Sequence, residues 1–166
     1  MKIISKDWIL LEKRIAEITR GKIPTGSGNK SVKGDVRVSH NNIELYFECK
    51  FRSINKDFSV FTLPIDWFDT CETNCKTNIL PILVFQPKIL GNIYNPHFFI
   101  KEGDLSVFSA KKIFSKFKAK SSWCEISEED IRSFFKQKES IQPIKKTIWQ
   151  SKKLIINSTF RKSNEK

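Results

Sequence analysis

The stretch VKGDVRVSHNNIELYFECKF, residues 32–51, decides the fold class. Apolar and polar residues alternate on both sides of His40-Asn41-Asn42, which predicts strands over 35–39 and 43–51 joined by a tight turn. Asparagine tolerates positive φ, so this turn has the right chemistry. Successive strand residues face opposite sides. Ile43, Leu45, Phe47 and Cys49 therefore share one face, and Glu44, Tyr46, Glu48 and Lys50 share the other. The second strand reads as having a core face and a polar face. Glu48 and Lys50 are i, i+2 neighbours, and Asp35 begins the partner strand beyond the turn, within reach of the same point.

Before the hairpin, KDWILLEKRIAEIT over 6–19 predicts a helix. Trp8, Leu11, Ile15 and Ile18 form its apolar stripe, Asp7 suits the positive end of the helix dipole, and Gly21 and Pro24 end it. At roughly 100° per residue, Glu12 falls about 80° from the stripe centre and Glu17 nearly opposite. Glu12 can lean over the sheet; it reads equally well as a helix-surface carboxylate. Residues 20–34 form a polar loop with Gly26-Ser27-Gly28, either a phosphate-gripping loop or a plain connector. It has no Walker pattern.

After the hairpin, DFSVFTL near 57–63 predicts a third strand, and Pro64 opens a helix. ILPILVF, 79–85, is a continuous apolar run, as a strand covered on both faces requires. HFFI at 97–100 and LSVFS at 105–109 read as further strands. From 110 the pattern turns helical, first AKKIFSKFKAK and then SEEDIRSFFKQKE with Ser127 as N-cap. Phe98-Phe99 and Phe134-Phe135 read as core fillers. The order predicts an α/β sandwich around a mixed sheet. Residues 1–109 make the core, and residues 110–166 a basic, mainly helical extension packed on or beside it.

The chain has 166 residues, 39% of them hydrophobic, with 14 Phe and 4 Trp, which fits one domain with a real core. No apolar run of ~18 residues predicts a membrane helix. The N-terminal apolar patch soon meets Asp7 and Glu12 and lacks a cleavage site, so a cytoplasmic protein of a bacterial, archaeal or phage-infected cell is expected. The net charge is +12, of which residues 110–166 hold +9. That charge points to a polyanionic partner, nucleic acid first. Cys71 and Cys75 share a helix face, but His40 and His97 are isolated; reduced thiols and a zinc site are both compatible with this spacing, the thiols more simply.

Two converging carboxylates repel unless a cation sits between them. A hard divalent cation suits carboxylates, carbonyls and waters, and leaves room for a phosphate oxygen. A lysine beside it can hold the attacking water. The same residues also fit an exposed hairpin with an ordinary salt bridge.

Glu12 on the first helix, the Gly/Ser/Lys loop, KGDV at 33–36 and FECK at 47–50 resemble the PD-(D/E)XK nuclease superfamily. Within it, GSGNKSVKGDV…ECK is most similar to the Holliday junction resolvase-like enzymes of archaea and phages, over about residues 6–86. Gly34-Asp35 stands where the superfamily's name has Pro-Asp. The resemblance implies a restriction-endonuclease-like core. It implies Mg²⁺ or Mn²⁺ held by Asp35, Glu48 and the Cys49 carbonyl, with help from Glu12, and water positioned by Lys50. Ser27 and Lys33 would lie near the scissile phosphate, with Lys30 and Arg52 as further nucleic-acid contacts. The expected function is a metal-dependent endonuclease cutting branched DNA as a homodimer. A restriction- or repair-type endonuclease on duplex DNA, and a non-catalytic nucleic-acid-binding protein of the same fold, are the alternatives.

Overall fold

The computed structural model describes residues 7–23, 36–75 and 77–137. Helix α1, Asp7–Thr19, buries Leu11 and Ile15 of the predicted stripe. It ends at Arg20, whose φ is 54°, followed by Gly21. A Cβ on Gly21 would stand 2.9 Å from Val36 Cγ1 and 3.1 Å from the Arg37 carbonyl oxygen. The glycine lets the chain pass close against β1, Val36–His40, where Lys22 bridges Arg37. Asn41 and Asn42 turn the hairpin with φ of 50° and 62°, the pairing that matches strand twist. Strand β2, Ile43–Ile54, returns with Val36 opposite Phe47.

The chain then leaves the sheet. Strand β3 is only Phe61–Thr62, and helix α2 spans Ile65–Thr73. Strand β4, Ile79–Ile89, re-enters parallel to β2, with Glu48 level with Leu83 and Lys50 with Phe85. Strand β5, Asn92–Ile93, folds back on the end of β4. Strand β6, His97–Lys101, and strand β8, Trp123–Ile126, complete the sheet, each antiparallel to its neighbour. The six-stranded mixed sheet has the order β1-β2-β4-β6-β8, with β5 paired to β4. Strand β7, Phe117–Lys118, pairs with β3 in a separate two-stranded sheet.

Two cores flank the sheet. On one face, α1, the short helix α3, Leu105–Phe108, and helix α4, Glu128–Lys136, pack on Leu45, Phe47, Ile82, Val84 and Phe98. On the other, α2 and the β3·β7 sheet pack on Tyr46, Leu83, Phe85 and Phe99. This is the expected α/β architecture, a mixed sheet between helices, consistent with a restriction-endonuclease-like core. Phe98 and Phe99 are core residues on opposite faces, and Phe134 is buried beside Phe108.

Several local expectations differ. The strand expected at 57–63 shrinks to two residues and joins β7, because Phe61 and Phe117 pack with Phe58 and Phe85 over the end of the main sheet. LSVFS is helical at 105–108. AKKIFSKFKAK is extended rather than helical: Ile113 bridges Glu125 and Phe117 drops into the aromatic cluster, an arrangement that local helix spacing does not foresee. The segment after 110 also supplies β8 and α4 to the same body. Ser127 caps α4 as expected, in a reciprocal box with Asp130. Residues 138–166, including most of the basic C-terminal run, lie outside the described residues.

Candidate active site

The face of β2 read from sequence as polar is covered. Tyr46 is fully buried and Glu48 is 6% exposed. Period-2 alternation aims Tyr46, Glu48 and Lys50 toward α2, while Leu45, Phe47 and Cys49 join the α1 side. A carboxylate out of water is costly unless it is paired and hydrogen-bonded. Glu48 has both: Lys50 Nζ donates to Oε1 at 2.6 Å, and the Tyr46 hydroxyl donates to Oε2. Asn74, just past the end of α2, donates from Nδ2 to the Tyr46 hydroxyl at 3.2 Å. Asn74 thus donates to Tyr46 and Tyr46 to Glu48, which accepts from Lys50 on the solvent side. The Lys50 side chain is 27% exposed, so one end of the pair is wet.

Arg37, level with Tyr46 across the β1–β2 ladder, places its guanidinium 5.4 Å from that ring's centre. Cys71 of α2 and Cys75, two residues past its end, both lie close enough to Glu48 to sense its charge. Burial pushes the Cys71 thiol up, with the Cys75 and Glu48 charges adding to the effect. Burial likewise pushes Cys75 up to about 11. All four cysteines are free thiols.

Asp35, Ser27, Lys30 and Lys33 lie outside the described residues. The residue after Asp35 is Val36, paired with Phe47, which precedes Glu48. Glu12 is buried, which decides between the two readings its edge position left open, and Glu17 is exposed as expected. Glu12 belongs to α1, which covers the Leu45 and Phe47 face, whereas Glu48 faces α2. The structure thus brings Glu48 and Lys50 together and places Glu12 in the opposite layer. Among the described residues, no group of three or more His, Cys, Asp or Glu side chains forms a metal-binding cluster. Arg52 is exposed on the same side of β2 as Lys50, 5.6 Å over the Phe61 ring.

Two participants were missed in the sequence. Tyr46 sits two residues before Glu48, so strand spacing alone placed it beside the carboxylate. Asn74 carries no such signal, since only the packing of α2 on β2 brings it there.

No family model, curated protein or solved structure matches the chain.

Proposed function

We propose that the protein is a metal-dependent DNA endonuclease that hydrolyses phosphodiester bonds, with branched DNA of the four-way-junction type as its substrate. The observation that carries this reading is the Glu48–Lys50 pair: a buried carboxylate on a central strand, held by two donors, with its lysine partner open to solvent.

The donor set suits a hard divalent cation. Each carboxylate oxygen of Glu48 accepts one hydrogen bond and retains a second lone pair for a metal. Asp35 and Glu48 would hold the ion, with the Cys49 carbonyl; Glu12 would have to join them from the α1 layer. When bound, Mg²⁺ or Mn²⁺ supplies charge stabilisation at the phosphate and a more acidic water. The chain's own residues do the rest. Tyr46 fixes the Glu48 rotamer, and Asn74 fixes Tyr46. Lys50 uses one of its three donors on Glu48, which leaves others for a water or a phosphate oxygen. Its positive charge also favours the pentavalent, more anionic transition state over the ground state. A two-fold dimer would set two such sites against opposed strands of a junction.

The test is cleavage of a synthetic four-way junction beside linear duplex and single strand, with Mg²⁺, with EDTA, and with Asp35→Ala. Metal-dependent, symmetric cuts confined to the junction are expected. Cutting of plain duplex instead keeps the site and replaces the substrate. No cutting with Mg²⁺ or Mn²⁺ leaves Glu48–Lys50 as a structural ion pair and overturns the reading.

A further inference from the structure

Beyond the Glu48 side of β2, the same face runs into a patch that a folded domain does not need. Arg52 follows Lys50 at i+2, so it lies on the same face, and its guanidinium covers Phe61. Phe61 packs at 5.4 Å on Phe58. Lys116 Nζ stands 4.4 Å over the Phe58 ring and 6.0 Å from the Tyr94 ring. Two residues earlier, Phe114 is 88% exposed, with Lys112 Nζ at 5.6 Å. Tyr94 and Val60 are also largely exposed, at 48% and 61%. A groove of about 640 Å³ runs between Val60, Phe114 and Lys118.

Phe114 is not alone: Val60 lines the same groove and Tyr94 is exposed as well, and an exposed apolar patch rimmed by charge marks an interaction surface. Phe114 stands in KKIFSKFKAK, residues 111–120, which holds five lysines and no acid. Lys112 pairs with Glu102 at 2.5 Å and Lys120 with Asp69 at 2.6 Å. Lys116, Lys118, Arg52 and Lys56 make no ion pair among the described residues. Spare cations over the half-buried Phe58 and Phe61 rings, beside the exposed Tyr94 and Phe114, match a ligand carrying both phosphates and flat apolar faces. Bases offer such faces only when they are unpaired. Duplex DNA hides them and would use the lysines alone.

We infer that the surface formed by Arg52, Phe58, Tyr94, Phe114 and Lys116 is a stacking platform for an unpaired DNA strand. It rests on the nuclease reading only for its purpose, as the place where a flap or opened arm of the substrate lies. At ~3.3 Å per residue, Glu48 and Arg52 are about 13 Å apart along β2. A strand held at the Arg52 edge of the platform therefore lies within a few nucleotides of the Glu48 site.

The test is binding of full-length protein to fluorescent oligothymidine and to a duplex of equal length, by anisotropy in EDTA, where no cutting occurs. Phe114→Ala removes a side chain that lies almost wholly in solvent, so the fold is retained, which circular dichroism verifies. Its affinity for oligothymidine is expected to fall about 5- to 100-fold, as loss of one stacked base implies, with duplex affinity changed less than twofold. Phe114→Trp should restore binding, and its fluorescence should be quenched on adding oligothymidine. Lys116→Gln should weaken both ligands, oligothymidine more. The platform is overturned if Phe114→Ala binds oligothymidine like the wild type, if it loses duplex equally, or if the wild type does not bind oligothymidine. Cleavage of the four-way junction, measured beside oligothymidine binding for wild type and Phe114→Ala, separates the two proposals. Absent cleavage with a selective Phe114 effect removes the nuclease and keeps the platform; cleavage with no Phe114 effect does the reverse.

Discussion

Glu48 is held by two donors of different kinds, and they do different work. Tyr46 is buried and neutral, so its hydroxyl acts on the position of the carboxylate. Lys50 is partly exposed and charged, so it can meet solvent or substrate. Lys50→Ala is expected to cut turnover by about 10²–10⁴-fold while leaving DNA affinity within a few fold; nicking and anisotropy assays check this, and wild-type turnover would remove Lys50 from the site. Tyr46→Phe keeps the ring and deletes one donor to a buried carboxylate, which is expected to cost about 1–3 kcal/mol in urea unfolding. The thiols of Cys71 and Cys75 add a pH response. Burial pushes the Cys75 thiol from 9.0 to about 11. The unfolded chain releases this proton near its ordinary pKa, while the folded chain keeps it until about 11. The stability from the protonated thiol is therefore complete below pH 9 and lost as pH rises to about 11. Cys71, raised by the same cause, acts in the same direction. Urea midpoints should fall across that window, and less in Cys75→Ser. At this scale Glu48 and Lys50 were readable because strand period is 2. Burial of their face was not, since it depends on α2 arriving from 15 or more residues away.

At the scale of elements, the end of α1 packs tightly against β1. Gly21 passes Val36 and the Arg37 carbonyl with no room for a side chain. Thr19 stiffens the same corner: its hydroxyl donates to the Ile15 carbonyl at 2.8 Å and accepts from the Gly21 amide at 3.2 Å. Gly21→Ala is expected to destabilise the fold by about 1–3 kcal/mol, because backbone and a packed Val36 must give way. Thermal unfolding checks the size, and an unchanged midpoint would show that the corner relaxes freely. Elements set by local chemistry were readable: the α1 stripe, the Asn41-Asn42 turn, the Ser127 cap. Those set by distant packing were not. LSVFS carries a strand-like apolar run yet is helical, and KKIFSKFKAK has helical spacing yet is extended, since Phe117 is claimed by Phe58, Phe61 and Phe85. Strand β8 was missed because Glu125 interrupts its apolar residues; that carboxylate is buried against His97 and Ser115.

Across the whole molecule, positive charge is unevenly distributed along the chain. The described residues hold 17 Lys and Arg against 15 Asp and Glu, so +10 of the +12 lies elsewhere in the chain. Residues 138–166 alone carry eight Lys and Arg and two Glu. This segregation was visible in the sequence, whereas the strand order was not, because the parallel β2–β4 pairing depends on how the intervening chain crosses the sheet. On the proposed reading, the described residues would supply the site and the aromatic platform, and the charge outside them would add sequence-independent attraction to phosphates. Helix α4 ends at Lys136, so a chain stopped at 137 keeps every described element. This truncation is expected to fold with an unchanged circular dichroism spectrum and to bind DNA more weakly at low salt. Each phosphate that the shortened chain no longer neutralises should lower the slope of log K against log salt by about 0.9 on duplex DNA. If several tail cations grip the backbone, the truncated chain keeps only the smaller salt slope set by cations such as Arg52, Lys116 and Lys118, while its preference for unpaired over paired DNA rises, because stacking then makes up a larger share of what remains. An unchanged slope would show that the tail's charge never meets the DNA, and that the lysines of the β3·β7 face carry the electrostatics by themselves.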